Sequence, residues 1–378
     1  MISKSTRAVA AAVVAAAVVV TSAGCSKSGD SGTKNTAAAP KVALQGSITF
    51  NDADLSKIAA DIKQQVTGKD VSGVHVAMVI NNPSAYWREG EAGMNNAAKE
   101  LGVKAEFQGP QGGDLTAQLS LLDTLRSQKV AGYTLSAVDP AAAKAPVNAA
   151  LGAGINVVAI DSPLSGTSKP VLYLGTPNTD AGQQAGEAMK KLLGDGGGEV
   201  AILTGSLTAT NATQRIAGFT KALAGSKVKI VQTLNDDADP AKALSNGQSA
   251  LQANPNLKGI YTVWSYDGPA AGQAVQAAGK TGQVQVVADD AEPKTVQYVK
   301  DGVIQAMILQ RPYQQGYLGI YLLTAMKVLG ADATEKIVSP YVKQADGVET
   351  LSSGIGLVTK DNLDAFQADL TKLGVPSQ

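Results

Sequence analysis

The residues best suited to chemistry stand where apolar, β-branched runs end. After the run VHVAMVI come Asn81 and Asn82, then Pro83, and at positions 86 and 87 a tyrosine beside a tryptophan. Other runs end in Ser136, in Asp161, in Trp264, in Asp289 with Asp290, and in Gln310. Aromatic residues are scarce, with 2 Trp, 10 Tyr and 4 Phe in 378 residues, so two adjacent rings call for a reason. Amides and carboxylates make directional hydrogen bonds, and aromatic rings cover apolar faces. The chemistry on offer is therefore recognition of a small molecule. Taken singly, each of these residues also suits a helix cap or a turn. Six such strand ends, in two series, point to a site.

Several other chemistries are excluded by what the chain lacks. There is one His and one Cys, so Ser-His or Cys-His nucleophiles and His-rich metal sites are ruled out, and we expect neither metal nor cofactor. His75 lies inside an apolar run and reads as structural. Asp161 and Asp290 could in principle serve as the carboxylate pair of a glycoside hydrolase. If they sit on separate moving domains, however, they cannot hold a fixed geometry, and no catalysis is expected. NDDADP (235–240) lacks the ligand spacing and terminal Glu of an EF-hand and reads as a loop with Asp239 as a cap. GDGGGE (194–199) has no following Lys-Ser/Thr and is a turn, not a phosphate loop. Lys plus Arg equals Asp plus Glu at 32 each, which gives no electrostatic case for nucleic acid.

The elements that must position these residues repeat every 20–30 residues. Five candidate strands, at 75–80, 103–107, 130–135, 155–160 and 171–174, are followed by five more at 199–204, 228–234, 258–263, 283–288 and 304–309. Amphipathic stretches such as GMNNAAKELG and PAAGQAVQAAG lie between them and close at glycines, as helix C-caps do. Strands that are continuously apolar are buried on both faces, which implies parallel sheets with helices on either side. Two series in tandem predict two doubly wound α/β domains, with ligand beyond the carboxyl ends of the strands. ADLSKIAADIKQQVTG (53–68) has helical spacing at Leu55, Ile58, Ile62 and Val66.

Residues 1–25 read as an export signal, with Lys4 and Arg7 ahead of an apolar stretch and small residues before Cys25. Ser-Ala-Gly-Cys resembles a bacterial lipobox, which predicts lipidation of Cys25, although Ser22 stands where an aliphatic residue is usual. The alternative is an uncleaved anchor, for which about 15 apolar residues are short. Both readings place the remaining chain outside the cytoplasm and attached to the membrane. Residues 26–40 are small and polar and form a tether.

From Val74 to Gly330 the chain resembles the ribose-type periplasmic sugar-binding proteins, the extracytoplasmic receptors of ABC importers. NNP followed by paired aromatics, INVVAIDS, ATQRIAGF, VVADDAEP and ILQRPYQQG carry the resemblance, in order and at matching spacing. It implies the type I periplasmic binding protein fold, with Asn82 bonding sugar hydroxyls and Tyr86 with Trp87 stacking on a sugar face. Asp161, Arg215, Asp290 and Gln310 would supply further polar contacts, with Arg215 as the charged partner of Asp161 or Asp290. The chain departs from the pattern at Ser84 and Ala85, which are inserted before the aromatics. It also departs at Ser136 and Tyr266, where the family has Asn, and at Trp264, which adds aromatic surface. A first lobe of 74–175 plus 313–333 and a second of 179–309 plus 340–378 are expected, after a leading segment at 41–73. Hinge crossings fall near 175–179, 309–313 and 333–340. The resemblance implies a monomer that binds a sugar or polyol and meets separate membrane permease subunits. A transcription regulator of the same fold would need an N-terminal DNA-binding unit in place of the export signal. A sensory receptor would use the same closed state as a transport receptor.

Overall fold

A computed structural model of the chain describes residues 44–375. The expected export signal, Cys25 and the expected tether lie outside the described residues. The described chain opens with β1 (Ser47–Phe50), α1 (Asp52–Val66), β2 (His75–Val79), α2 (Tyr86–Leu101) and β3 (Lys104–Gln108). It continues through α3 (Leu115–Ser127), β4 (Gly132–Leu135), α4 (Pro140–Gly152), β5 (Asn156–Ile160) and β6 (Tyr173–Gly175). The second series runs α5 (Asn178–Leu193), β7 (Gly198–Thr204), α6 (Thr210–Ala222), β8 (Val228–Asn235), α7 (Pro240–Ala253), β9 (Leu257–Thr262) and α8 (Asp267–Ala277). It ends with β10 (Gln285–Asp289), α9 (Pro293–Lys300) and β11 (Ala306–Leu309). The tail comprises α10 (Pro312–Val328), α11 (Ala331–Val338), β12 (Val342–Ala345), β13 (Val348–Ser352), β14 (Gly354–Val358) and α12 (Leu363–Lys372).

Two seven-stranded sheets result, in the orders β12-β13-β6-β5-β4-β2-β3 and β1-β14-β11-β10-β9-β7-β8. Six strands of the first sheet and five of the second pair in parallel. β2–β6 and β7–β11 follow one topology, with β2 between β3 and β4 and, likewise, β7 between β8 and β9. Their continuous apolar residues are buried on both faces, as Val76, Ala77, Met78 and Val79 are in β2. Helices lie on both sides, so each lobe holds two apolar layers. His75 opens β2 and is half-buried, with Nε2 2.9 Å from Glu106 Oε1 of the neighbouring β3. Asp239 caps α7 by accepting from Ala241 N at 2.8 Å. No helix among the described residues is long and apolar enough to cross a membrane.

The tail is divided differently from expectation. β12 and β13 extend the first sheet, so residues 342–352 belong to the first lobe. Asp346 in their turn accepts from Thr179 N at 3.2 Å and from Gln214 Nε2 at 3.4 Å in the second. Only β14 and α12 join that lobe, α12 through Leu363, Phe366 and Leu370. The leading segment is divided too. β1 pairs with β14 in the second sheet, while α1 buries Leu55, Ile58, Ile62 and Val66 in the first lobe. The chain thus crosses between lobes at four places, at 50–52, 175–178, 309–312 and 352–354, and the crossing expected near 333–340 belongs at 352–354. Hydrogen bonds tie these crossings together. Asn51 N donates to Ser353 O at 3.2 Å, and Ser353 N donates to Gly175 O at 2.9 Å. Arg311, almost wholly buried, donates to Asp52 from Nε at 3.2 Å and Nη2 at 2.8 Å, and to Asp369 at 2.5 Å.

Candidate functional site

The carboxyl ends of both parallel sheets face one cleft, and the strand-end residues meet there. Asn82, Tyr86, Trp87, Asp161, Arg215, Trp264, Tyr266, Asp290 and Gln310 line one pocket whose empty space, open solvent at its mouth included, is about 350 Å³. Asn81, Ser84, Asn211 and Ser265 complete the wall. Ser136 is not on that wall; it is fully buried and donates its hydroxyl to Asp161 Oδ2 at 2.8 Å. Its role is to hold Asp161.

Asp161 and Asp290 follow β5 and β10, the equivalent strands of the two sheets, and both have left-handed backbones (φ 59° and 64°). For a residue with a Cβ this conformation costs about 1–3 kcal/mol and persists where the surroundings demand it. Here it turns each carboxyl into the cleft at the point where its strand ends. Gln310, at a hinge crossing, bridges the two lobes by donating Nε2 to Asp161 Oδ1 at 3.5 Å and to Asp290 Oδ1 at 3.3 Å. Asn211 of α6 also crosses the cleft, donating to Asp161 Oδ2 at 3.1 Å. Tyr86 N donates to Glu292 Oε1 at 3.4 Å across the same gap. The lobes are therefore closed on each other.

Arg215 is buried in α6, and its charged partner is Asp289, with Nη1 2.9 Å from Oδ2. This corrects the expected pairing with Asp161 or Asp290. Asp289 ends β10 pointing back into the lobe, where Tyr261 Oη also donates to it at 3.1 Å. Arg215 Nε donates to Asn178 Oδ1 at 2.9 Å, and Asn178 Nδ2 reaches the Asp161 carbonyl at 3.4 Å. A residue of the hinge thus connects the arginine to the first lobe's aspartate. Arg215 Nη2 is buried without a partner among the described residues, as are Trp264 Nε1 and Gln310 Oε1. All three residues line the cavity.

Burial pushes Asp161 and Asp290 above the ordinary carboxylate range, and the positive charge of Arg215 opposes it. Burial also raises Asp289 to about 7 despite the adjacent guanidinium. With the Arg215 charge already paired to Asp289 behind the wall, the carboxyls of Asp161 and Asp290 make the cavity rich in acceptors. It suits a ligand that donates many hydrogen bonds and carries no negative charge.

Aromatic rings stand on both sides. Tyr86 and Trp87 open α2 as an edge-to-face pair, with centroids 4.8 Å apart. Trp264 and Tyr266 precede α8 as a second such pair at 6.2 Å. Asn81 fixes the first pair, accepting from Trp87 Nε1 at 3.0 Å, while Gln315 donates to Tyr86 Oη at 3.0 Å. The Tyr266 hydroxyl is taken up by Asp236 at 2.7 Å, so it is the ring that Tyr266 offers the cleft.

A family model described as periplasmic binding protein domain matches residues 74–331. The chain belongs to the periplasmic binding protein family. It is 30% identical over 285 residues to the D-allose-binding periplasmic protein of Escherichia coli, a match covering 72% of this chain and 89% of that one. Among solved structures, an ABC transporter solute-binding protein from Burkholderia graminis, in complex with D-arabinose, is 33% identical with a TM-score of 0.69. That match covers 78% of this chain and 98% of the other. A structure of XylFII in a complex with LytSN is 28% identical with a TM-score of 0.66, covering 76% of this chain and 98% of that one. The periplasmic binding protein fold of two parallel-sheet lobes agrees with the order of elements described above.

The sequence marks Asn81 and Asp289 as strand ends without a ligand role for either, and it gives no reading of Asn178 or Asn211. Continuous apolar strands show where a strand ends, but not which of two adjacent aspartates turns outward.

Proposed function

We propose that this periplasmic binding protein is an extracytoplasmic receptor that binds a sugar or polyol between its lobes and hands it to an ABC permease. The observation that carries this reading is the cavity wall itself. Two aromatic pairs face a set of buried carboxyls, with Arg215 Nη2, Trp264 Nε1 and Gln310 Oε1 buried and unpartnered among the described residues. A sugar has apolar C–H faces for the rings and a rim of hydroxyls for the polar atoms. Such a ligand contacts both lobes and so favours the closed form, whose surface the permease reads. Cys25 carries the lipid that keeps the receptor at the membrane, and a single chain suffices because one chain builds the whole cleft. A second reading is favoured by the likeness to XylFII, which is held in a complex with LytSN. In this reading the closed form is presented to a partner protein other than a permease.

The test is a thermal-shift screen of the exported chain against pentoses, hexoses and polyols, with D-allose, D-ribose and D-arabinose included. Saturable stabilisation by at least one of them is expected. A shift with an amino acid or a nucleoside and with no sugar or polyol would overturn the ligand class. Cys25→Ser should release the receptor from the membrane into the medium or periplasm; retention would overturn the anchor.

A further inference from the structure

Behind the second aromatic pair lie two carboxyl groups that the ligand contacts above do not use. Asp236 follows β8 and Asp267 opens α8, and both are fully buried. Each leaves one buried oxygen, Asp236 Oδ2 and Asp267 Oδ1, without a partner among the described residues. The two carboxyls interact strongly enough that a hydrogen bond between them needs a proton on one. Their other bonds lead straight to the cleft wall. Tyr266 Oη donates to Asp236 Oδ1 at 2.7 Å, and Trp264 N donates to Asp267 Oδ2 at 3.2 Å. No cation is paired with either carboxyl among the described residues; Lys242 instead pairs with Asp237.

From this arrangement we infer that Asp236 and Asp267 are positioning residues that share one proton and thereby hold Tyr266 and Trp264 against the ligand. The inference rests on the reading of the cleft as the binding site, but the device itself belongs to the second lobe and works without ligand. With the proton in place the pair carries one charge, delocalised over a hydrogen bond and balanced by the Tyr266 hydroxyl. Without it, two buried carboxylates face each other with no cation and only that hydroxyl and the backbone N–H groups of Trp264 and Ala238 to hold them, and like charges at such range push apart. Asp267 is the end of the pair that keeps the proton. Burial pushes it well above the ordinary carboxylate range, and the charge and hydrogen bond of Asp236 add to the push. The other titratable groups facing the pair are Tyr266, Asp237 and Asp239 on the loop before α7, Lys242 in the first turn of α7, and Asp289 at the end of β10. Three of these five are carboxyls, so the surroundings favour retention of the proton.

The experiment uses the protein labelled with 5-fluorotryptophan. It has 2 Trp, so two fluorine resonances are expected, with Trp87→Phe serving only to assign them. On titration from about pH 5 to about pH 10, the Trp264 resonance should move through one alkaline transition. Asp267→Asn keeps a hydrogen-bond donor toward Asp236 and cannot titrate. It should abolish the transition and leave Tm within a few degrees of wild type. Asp267→Ala should shift the Trp264 resonance at every pH. The inference is overturned if Asp267→Asn retains the transition, or if the wild-type Trp264 resonance does not respond to pH. If D-allose binds, its Kd should rise about tenfold or more across the transition in the wild type and stay flat in Asp267→Asn. A rise of equal size in both would also overturn the inference. If no sugar binds, the proposed function fails, and the fluorine titration still decides the proton pair.

Discussion

In the first lobe α2 crosses α10 at Gly93 and Gly316, and in the second α6 crosses α5 at Gly218 and Gly182. The contacts correspond one for one. A Cβ on Gly93 would overlap the Tyr313 carbonyl, and one on Gly218 would overlap that of Thr179. A Cβ on Gly316 would overlap the Gly90 carbonyl, and one on Gly182 would overlap that of Arg215. Gly90 and Arg215 are therefore the same position in two copies of one helix crossing. At that position the first lobe has no side chain, and the second has a buried cation that reaches the end of its sheet. The residue before each differs as well, with buried Glu89 in the first lobe and Gln214 in the second. One backbone arrangement thus yields a lobe that presents rings, an amide and Asp161 to the cleft, and a lobe that adds a guanidinium.

The largest test of this contrast is Arg215→Met, which keeps the length and removes the charge. Asp289 would then lie fully buried with Tyr261 as its only side-chain donor among the described residues. Removing one member of a buried ion pair costs about 3–5 kcal/mol. Urea unfolding should show a loss of that size, and ligand binding should vanish. A loss below about 1 kcal/mol would mean that Asp289 is carried neutral and that the second lobe is no more dependent on charge than the first.

The same contrast explains what could be read without coordinates. Of the strands β2–β11, the eight inside the sheets are largely continuous apolar runs and stand out, as do the polar residues that end them. β3 and β8, by contrast, are half-exposed edge strands. β1, β12 and β13 are short, lie at or near the sheet edges and carry largely exposed or half-exposed residues. The places of β1 and β13 depend on partners far along the chain, as Ser47 pairs with Leu357 and Thr350 with Tyr173, and β12 follows β13. Ser136 was legible as a strand end, but its burial under Asp161 was not. Asp236 sits in NDDADP, which has the composition of a loop. Only the fold places it behind Tyr266.

A second test makes the first lobe like the second by Glu89→Gln, matching Gln214. Burial raises Glu89 to about 8, against the attraction of Arg311 and with the repulsion of Asp369. Its folded value lies above its unfolded one, so the native state binds the extra proton. Stability is greatest below the ordinary value of 4.5 and falls as pH rises toward about 8. The fall for one such group is at most about 1.4 kcal/mol per pH unit. Denaturation curves of wild type and Glu89→Gln should therefore converge or cross between about pH 5 and pH 8, with the wild type losing ground. Parallel curves would show that Glu89 is ionised throughout and that the lobes do not differ in this respect.

The smallest effect distinguishes the two aspartates that share a strand end and a left-handed backbone. Asp161 accepts from Ser136, Asn211 and Gln310, whereas Asp290 accepts from Gln310 alone among side chains of the described residues. Asp290 thus has carboxylate capacity to spare, and Asp161 spends much of its own on holding the lobes closed. Asp290→Ala should weaken sugar binding by about 2 kcal/mol, roughly thirtyfold, while leaving the unliganded protein as stable as before or slightly more so. Asp161→Ala should weaken binding comparably and also cost about 1–2 kcal/mol of stability, because Ser136 and Asn211 lose their acceptor. Calorimetry for affinity and urea unfolding for stability separate the two quantities. If both variants lose affinity and keep their stability, the bonds to Asp161 carry no net energy, and the two aspartates are interchangeable ligand acceptors. If only Asp161→Ala loses stability, equivalent positions in the two lobes have been put to different uses, one to close the cleft and one to grip what lies inside it.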